Sequence, residues 1–151
     1  MITPVHRSLL LIATAFLYAD AVDVQYTDCG STIPVGEVTV EPCPSLPCEL
    51  PRGGKTKFGI QFQPDQDAGY LGQVEARTVV WGMAVPISLD STQICGHVHP
   101  KCPLKPGQWY TYSRTIHINK SYSRMTVPLQ WLLMDSNGNL MVCVEIQVEI
   151  V

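Results

Sequence analysis

Six cysteines, Cys29, Cys43, Cys48, Cys95, Cys102 and Cys143, follow an apolar N-terminal run, and that combination restricts the chain more than any other feature. His6 and Arg7 precede the apolar stretch from Leu9 to Tyr18, and Ala19-Asp20-Ala21 supplies small residues for cleavage. Residues 1–21 therefore read as a secretory signal, with residues 22–151 as one mature domain. An even number of cysteines behind such a signal points to an oxidising lumen and to disulfides in place of metal thiolates or redox catalysis. The expected destination is the extracellular fluid or the lysosomal lumen.

Roughly 130 mature residues suit a single domain that buries a real core yet gains from covalent staples. The net charge of −3 persists after cleavage because Arg7 and Asp20 leave together. A chain this acidic, with no basic patch of nucleic-acid size, is not expected to bind nucleic acid. No apolar run after Ala21 approaches the roughly 20 residues that span a bilayer, so membrane contact is expected to be peripheral.

Beyond the signal there is no sustained helical period. Period-2 runs separated by turn residues occupy residues 35–40, 55–63, 73–81, 85–88, 109–118, 126–134 and 140–151, which predicts an all-β sandwich of about seven antiparallel strands. The last two runs flank Asp135-Ser136-Asn137-Gly138-Asn139, whose Asn-Gly pair suits a two-residue type I′ turn. With Asn137 and Gly138 as the loop, Leu133 meets Val142, Trp131 meets Val144, Leu129 meets Ile146 and Val127 meets Val148. Every pair on that face is apolar, whereas the other face pairs Gln130 with Glu145 and Pro128 with Gln147. The same parity puts Cys143 on the outer face, so its partner should belong to a segment crossing outside the sheet, and Cys29 qualifies.

Spacing favours two short bridges, Cys43 to Cys48 across a proline-rich loop and Cys95 to Cys102 around Gly96 and Pro100, leaving Cys29 for Cys143. A rival reading groups Cys95, His97, His99 and Cys102 as zinc ligands. Oxidation during export argues against it, and no metal or other cofactor is expected. Disulfide-bonded sulfur cannot act as a nucleophile, and neither a Gly-x-Ser-x-Gly elbow nor a His-Glu-x-x-His motif is present, so an enzyme is not expected.

Asp28-Cys29-Gly30-Ser31, Pro42-Cys43-Pro44 with Pro47-Cys48, Cys102-Pro103-Leu104-Lys105 followed by Tyr110 and Tyr112, and Trp131 with Cys143 together resemble the ML family of lipid-recognition domains across the mature chain. The resemblance implies an immunoglobulin-like sandwich whose sheets splay around an apolar cavity, with the same three disulfides. Its implied ligand is a sterol, fatty acid or other hydrophobic small molecule carried by a monomer, with a membrane or membrane protein as acceptor. Ile87, Ile118 and Tyr122 match the family's pocket mouth. Ile87 and His117 stand where the sterol-carrying branch has a phenylalanine and a proline, which should reshape that mouth.

From strand parity, the inward candidates for the lining are Phe58, Ile60, Phe62, Val80, Val85, Tyr110, Val127, Leu129, Trp131, Val144 and Ile146, with Trp131 at the back. Alternation alone does not separate lining from filled core. His97, His99 and His117 titrate in the range of an acidic lumen if solvated. Asn119-Lys120-Ser121 is a glycosylation sequon beside Tyr122. Two other roles fit the same family, an innate-immune lipid-recognition module and an extracellular carrier of fatty acids or semiochemicals. The first calls for a basic rim, for which the sequence supplies Arg114, Lys120 and Arg124.

Overall fold

The computed structural model describes Ala13, residues 22–70 and residues 72–151; apart from Ala13, the expected signal lies outside them. The strands are β1 (Val22–Asp23), β2 (Thr27–Asp28), β3 (Val35–Glu41), β4 (Cys48–Leu50), β5 (Lys55–Phe62), β6 (Gln73–Val80), β7 (Met83–Ile87), β8 (Val98–His99), β9 (Tyr110–His117), β10 (Met125–Met134) and β11 (Leu140–Ile150). One sheet runs β1-β3-β5-β9-β8 and the other β2-β11-β10-β6-β7, with β4 also against β11. All pairings are antiparallel except β4 with β11. The long strands sit where the period-2 runs lie. The added ones, β1, β2, β4 and β8, are only two or three residues long, too short to show a period.

The β10–β11 register is the one that apolar parity requires: Val127 pairs with Val148, Leu129 with Ile146, Trp131 with Val144 and Leu133 with Val142. The turn differs from expectation. Gly138 has φ +79° whereas Asn137 is not in the left-handed region, and Asp135 N–H donates to the Asn139 carbonyl. The loop is thus three residues, a type I turn closed by a left-handed glycine, and a bulge between Leu133 and Met134 restores the register. The Asp135 carboxylate accepts from the Asn137 and Asn139 N–H groups, which explains why this arrangement beats the type I′ alternative.

The three disulfides join Cys29 to Cys143, Cys43 to Cys48 and Cys95 to Cys102. The long bridge corrects one expectation. Asp28 pairs with Val144, so Cys29 comes directly off the edge strand β2 beside β11 and does not belong to a segment crossing the sheet. Its N–H donates to the Cys143 carbonyl, and Ser31 Oγ accepts from the Cys143 N–H. The bond staples an edge strand too short to hold itself.

Between the sheets the inward side chains stack in rows. On β11, β10, β6 and β7 one row is Val144, Trp131, Ala76 and Ile87; the next toward the β6–β7 hairpin tip is Ile146, Leu129, Thr78 and Val85. On the facing sheet Val40, Phe58 and Arg114 form a row, flanked by Val38, Ile60 and Tyr112 on one side and by Thr56 and Ile116 on the other. Phe58 lies over Trp131 with ring centroids 5.3 Å apart, and Tyr112 reaches the same indole at 6.1 Å. Beyond this layer, away from the hairpin tip, Phe62 stacks on Tyr110, whose hydroxyl donates to the Pro103 carbonyl and accepts from Lys105 N–H. That end is filled.

On the loop-entropy model, Cys29→Ser with Cys143→Ser should lower unfolding free energy by about 5 kcal/mol, against about 2 kcal/mol for Cys43→Ser with Cys48→Ser. Urea denaturation of the two double variants measures the difference.

Candidate functional site

β10 pairs with β11 from Met125 to Met134, but with β6 only from Leu129 to Met134. Pro128, with no N–H to offer, is the first residue beyond the β6 ladder. From there the β6–β7 hairpin leaves β10 and projects as an arm on which Met83 is 67 % and Val85 45 % exposed. β8 pairs β9 only at Tyr112 and Thr111, so among the described residues the β9 edge facing this arm has no strand beside it from Arg114 onward. Where both sheets lose their neighbours, a cavity of about 180 Å³ opens between them.

Its walls are Thr78 and Val80 of β6, Val85, Pro86 and Ile87 of β7, Ile116 and His117 of β9, and Met125, Val127 and Leu129 of β10. Leu50, Val148, Ile150, Ile118, Tyr122 and Ser123 complete them. Of the side chains expected from sequence to meet a ligand, Val80, Val85, Ile87, Ile118, Tyr122, Val127 and Leu129 lie on these walls. Phe58, Ile60, Phe62, Tyr110, Trp131, Val144 and Ile146 do not; all are buried in the packed rows beneath or beside the cavity. The two sets share one alternating pattern and mix within the rows: Ile146 is packed although Leu129, Thr78 and Val85 of its row line the cavity, and Ile87 lines it although Trp131 of its row does not. His117, read from sequence as reshaping the mouth, is also on the walls; Leu50, Thr78, Pro86, Ile116, Ser123, Met125, Val148 and Ile150 were missed as lining. For Ile116, Val148 and Ile150 the signal was present, since they continue the inward parity of β9 and β11.

The walls are almost wholly apolar and carry no carboxylate. Charge gathers around the opening instead. Residues 51–54 and 117–125, the two segments beside it, contain Arg52, Lys120 and Arg124 and neither Asp nor Glu, in a chain of net charge −3, while Lys55 and Lys57 stand on the outer face of β5. These two segments are held together at the mouth: Gly53 N–H donates to the Ile118 carbonyl, Ile118 N–H donates to the Gly54 carbonyl, and Arg52 Nη1 donates to the Tyr122 carbonyl. Asn119 of the sequon is exposed in the same loop, its side-chain oxygen accepting from Ser121 N–H.

At the hairpin tip Val80 pairs with Met83, leaving Trp81-Gly82 as a two-residue loop with φ +53° and +75°. Both values match a type I′ turn, in which glycine is at ease and tryptophan is not. Trp81 is nevertheless 95 % exposed.

Arg114 is not on the rim, contrary to its reading from sequence. It shares the inward face of β9 with Tyr110, Tyr112 and Ile116 and is 4 % exposed. Nη1 donates to the Tyr112 hydroxyl, and Nη2 donates to the Ser91 carbonyl and to Asp90 Oδ1. Hydrogen bonding to Arg114, then its charge, holds the Asp90 carboxyl below the usual carboxylate range. Burial raises the Tyr112 phenol, and burial followed by the charge of Arg114 lowers the His97 imidazole. The Cys95–Cys102 bond consumes both sulfurs of the zinc reading.

Residues 23–150 of this β-sandwich match the ML domain, so the chain belongs to the ML family. It is 32 % identical over 143 residues to NPC intracellular cholesterol transporter 2 homolog a of Drosophila melanogaster, covering 93 % of this chain and 96 % of that one. To NPC intracellular cholesterol transporter 2 of Canis lupus familiaris it is 29 % identical over 131 residues, covering 84 % and 85 %. The fold also matches the crystal structure of a Niemann-Pick type C2 protein from Japanese carpenter ant, with a TM-score of 0.74 at 22 % identity over 85 % of this chain and all of that one.

Because His97 has a folded pKa below its ordinary 6.5, the unfolded chain binds the proton more readily. Its contribution to stability should be complete above pH 6.5 and decline as pH falls below it. Urea midpoints across that range should show the decline, and His97→Gln should flatten it.

Proposed function

We propose that this protein is a non-enzymatic carrier of a sterol, fatty acid or other hydrophobic small molecule, acting in the extracellular fluid or lysosomal lumen after removal of residues 1–21. The observation that carries this reading is the apolar cavity at the unpaired end of the sandwich, in a chain whose relatives are named for cholesterol transport. Val80, Val85, Ile87, Ile118, Tyr122, Val127 and Leu129 are its proposed ligand contacts, and Asn119 its proposed glycan site.

At about 180 Å³ the cavity is smaller than the roughly 300–1,000 Å³ of pockets that bury whole organic ligands. Uptake therefore requires the β6–β7 arm to move away from β9. The topology allows this, since neither edge is hydrogen-bonded to another strand there. Burying a few hundred Å² of ligand at about 25 cal/mol per Å² gives roughly 10 kcal/mol gross, enough for micromolar binding or tighter after association costs. No ion pair is needed, and release requires only an apolar acceptor.

The acceptor favoured by the surface is a bilayer. Trp81 and Met83 present apolar side chains at the hairpin tip, Trp81 in a backbone region that disfavours it, while Arg52, Lys120 and Arg124 lie in the segments at the opening.

Lipid extracted from the purified protein and identified by mass spectrometry tests the carrier reading. A retained or exchangeable sterol or fatty acid is expected, and a protein that neither retains nor takes up either lipid contradicts it. Val85→Trp should reduce uptake at least tenfold while leaving the thermal midpoint within a few degrees. Trp81→Asn should stabilise the fold by about 1 kcal/mol through relief of the left-handed strain, yet weaken co-sedimentation with vesicles of anionic phospholipid.

A further inference from the structure

We infer that Arg114 is a recognition group for an anionic ligand head: it forms a subsite at the cavity floor that takes the carboxylate of a long-chain fatty acid in exchange for Asp90. This rests on the carrier reading and adds to it the head-group chemistry and the direction in which the ligand enters.

Arg114 lies two residues before the wall residue Ile116 on the same inward face of β9, so their Cα atoms are about 7 Å apart along the strand. Across β9 it pairs with Phe58, which packs on Trp131, so Arg114 issues from the layer on which the cavity rests, with its guanidinium reaching the Asp90–Ser91 connection and the Tyr112 hydroxyl. Growth of the cavity along its own axis reaches that layer first.

The present counter-ion is poorly matched to its site. Arg114 is 3 % exposed at its side chain, whereas Asp90 is 89 % exposed and sits on a connection outside the strands. A buried cation retained for stability alone would be expected to hold a buried partner, since desolvation without pairing is costly. Here the partner remains in water, where it can be released with little loss of its own hydration. The ion pair also spans the two sheets, because Asp90 follows β7 and Arg114 belongs to β9. Opening the arm therefore strains the contact that a ligand carboxylate would replace.

The guanidinium has five N–H donors, of which three contacts within the described residues use Nη1 once and Nη2 twice. Nε–H and one Nη1 N–H have no protein acceptor there. Two buried side-chain polar atoms among the described residues have no partner: Trp131 Nε1, in the floor row, and Thr56 Oγ1, whose residue lies in register with Ile116. Both residues are at least 99 % buried. Buried donors without acceptors are uncommon, and an incoming oxygen anion would satisfy them. A sterol has one neutral hydroxyl and cannot neutralise the guanidinium. A single-chain carboxylate can, with its hydrocarbon filling the apolar rows toward the mouth.

Oleic acid and oleyl alcohol share one chain and differ at the head. Their affinities at neutral pH, measured by competition against one fluorescent lipid, test the proposal on wild type, Arg114→Met and Asp90→Ala, with thermal melts as the folding control. Wild type should favour oleate at least tenfold over the alcohol. Arg114→Met should cut that ratio about tenfold, and Asp90→Ala should raise it severalfold by vacating the guanidinium. Equal binding of both lipids with neither variant moving the ratio overturns the subsite and leaves the carrier standing. Failure of wild type to bind either lipid overturns the carrier reading as well. Should Arg114→Met not fold, Asp90→Ala decides alone, because its side chain is in solvent: an unchanged or lower oleate preference refutes the exchange.

Discussion

All 10 residues of β10 lie in register against β11, but the β6 ladder covers only its second half, stopping at Leu129 beside a proline with no N–H. That mismatch in ladder length divides the sandwich in two. Where both neighbours are paired, Phe58 and Tyr112 meet Trp131 across the sheets and the interior is filled by buried side chains. Where one is missing, the β6–β7 hairpin stands off as an arm and the interior is left unfilled. The Cys29–Cys143 and Cys95–Cys102 bonds and the doubly paired part of β10 fix the closed half, so the β6–β7 arm can move without threatening the fold.

The strand map and the β10–β11 register were legible in the sequence because a half-buried strand must alternate and a slip of one residue would turn Trp131 and Leu133 to water. The type of turn between them was not. Asn137-Gly138 carries the composition of a type I′ loop, but the Asp135 carboxylate collects N–H groups that favour the three-residue alternative. Pairing of β2 and β4 with β11 was also hidden, since two- and three-residue strands leave no period to read.

The site was half legible for a related reason. Leu129 and Trp131 occupy equivalent positions in one alternation, yet the first faces a cavity and the second packs under Phe58. Both are paired on each side; what distinguishes them is that Trp131 lies under Phe58 and Tyr112 while Leu129 sits at the last β6 pair, next to the open end, a property of the assembled sheets and not of local pattern. Arg114 shows the converse. Its parity with Tyr110, Tyr112 and Ile116 already pointed inward, and its charge alone suggested a rim position. The structure follows the parity, and a hydrogen-bonded ion pair at the sheet edge makes the burial tolerable.

Diffraction from crystals grown with a brominated fatty acid tests the central claim most directly, because bromine locates the chain without reference to any expected pose. Anomalous density between β7, β9 and β10, bounded by Ile87, Ile116 and Leu129, with the β6–β7 arm displaced outward, is the predicted result. Saturated crystals with an empty, unexpanded interior, or bromine only on the outer surface, would contradict the account.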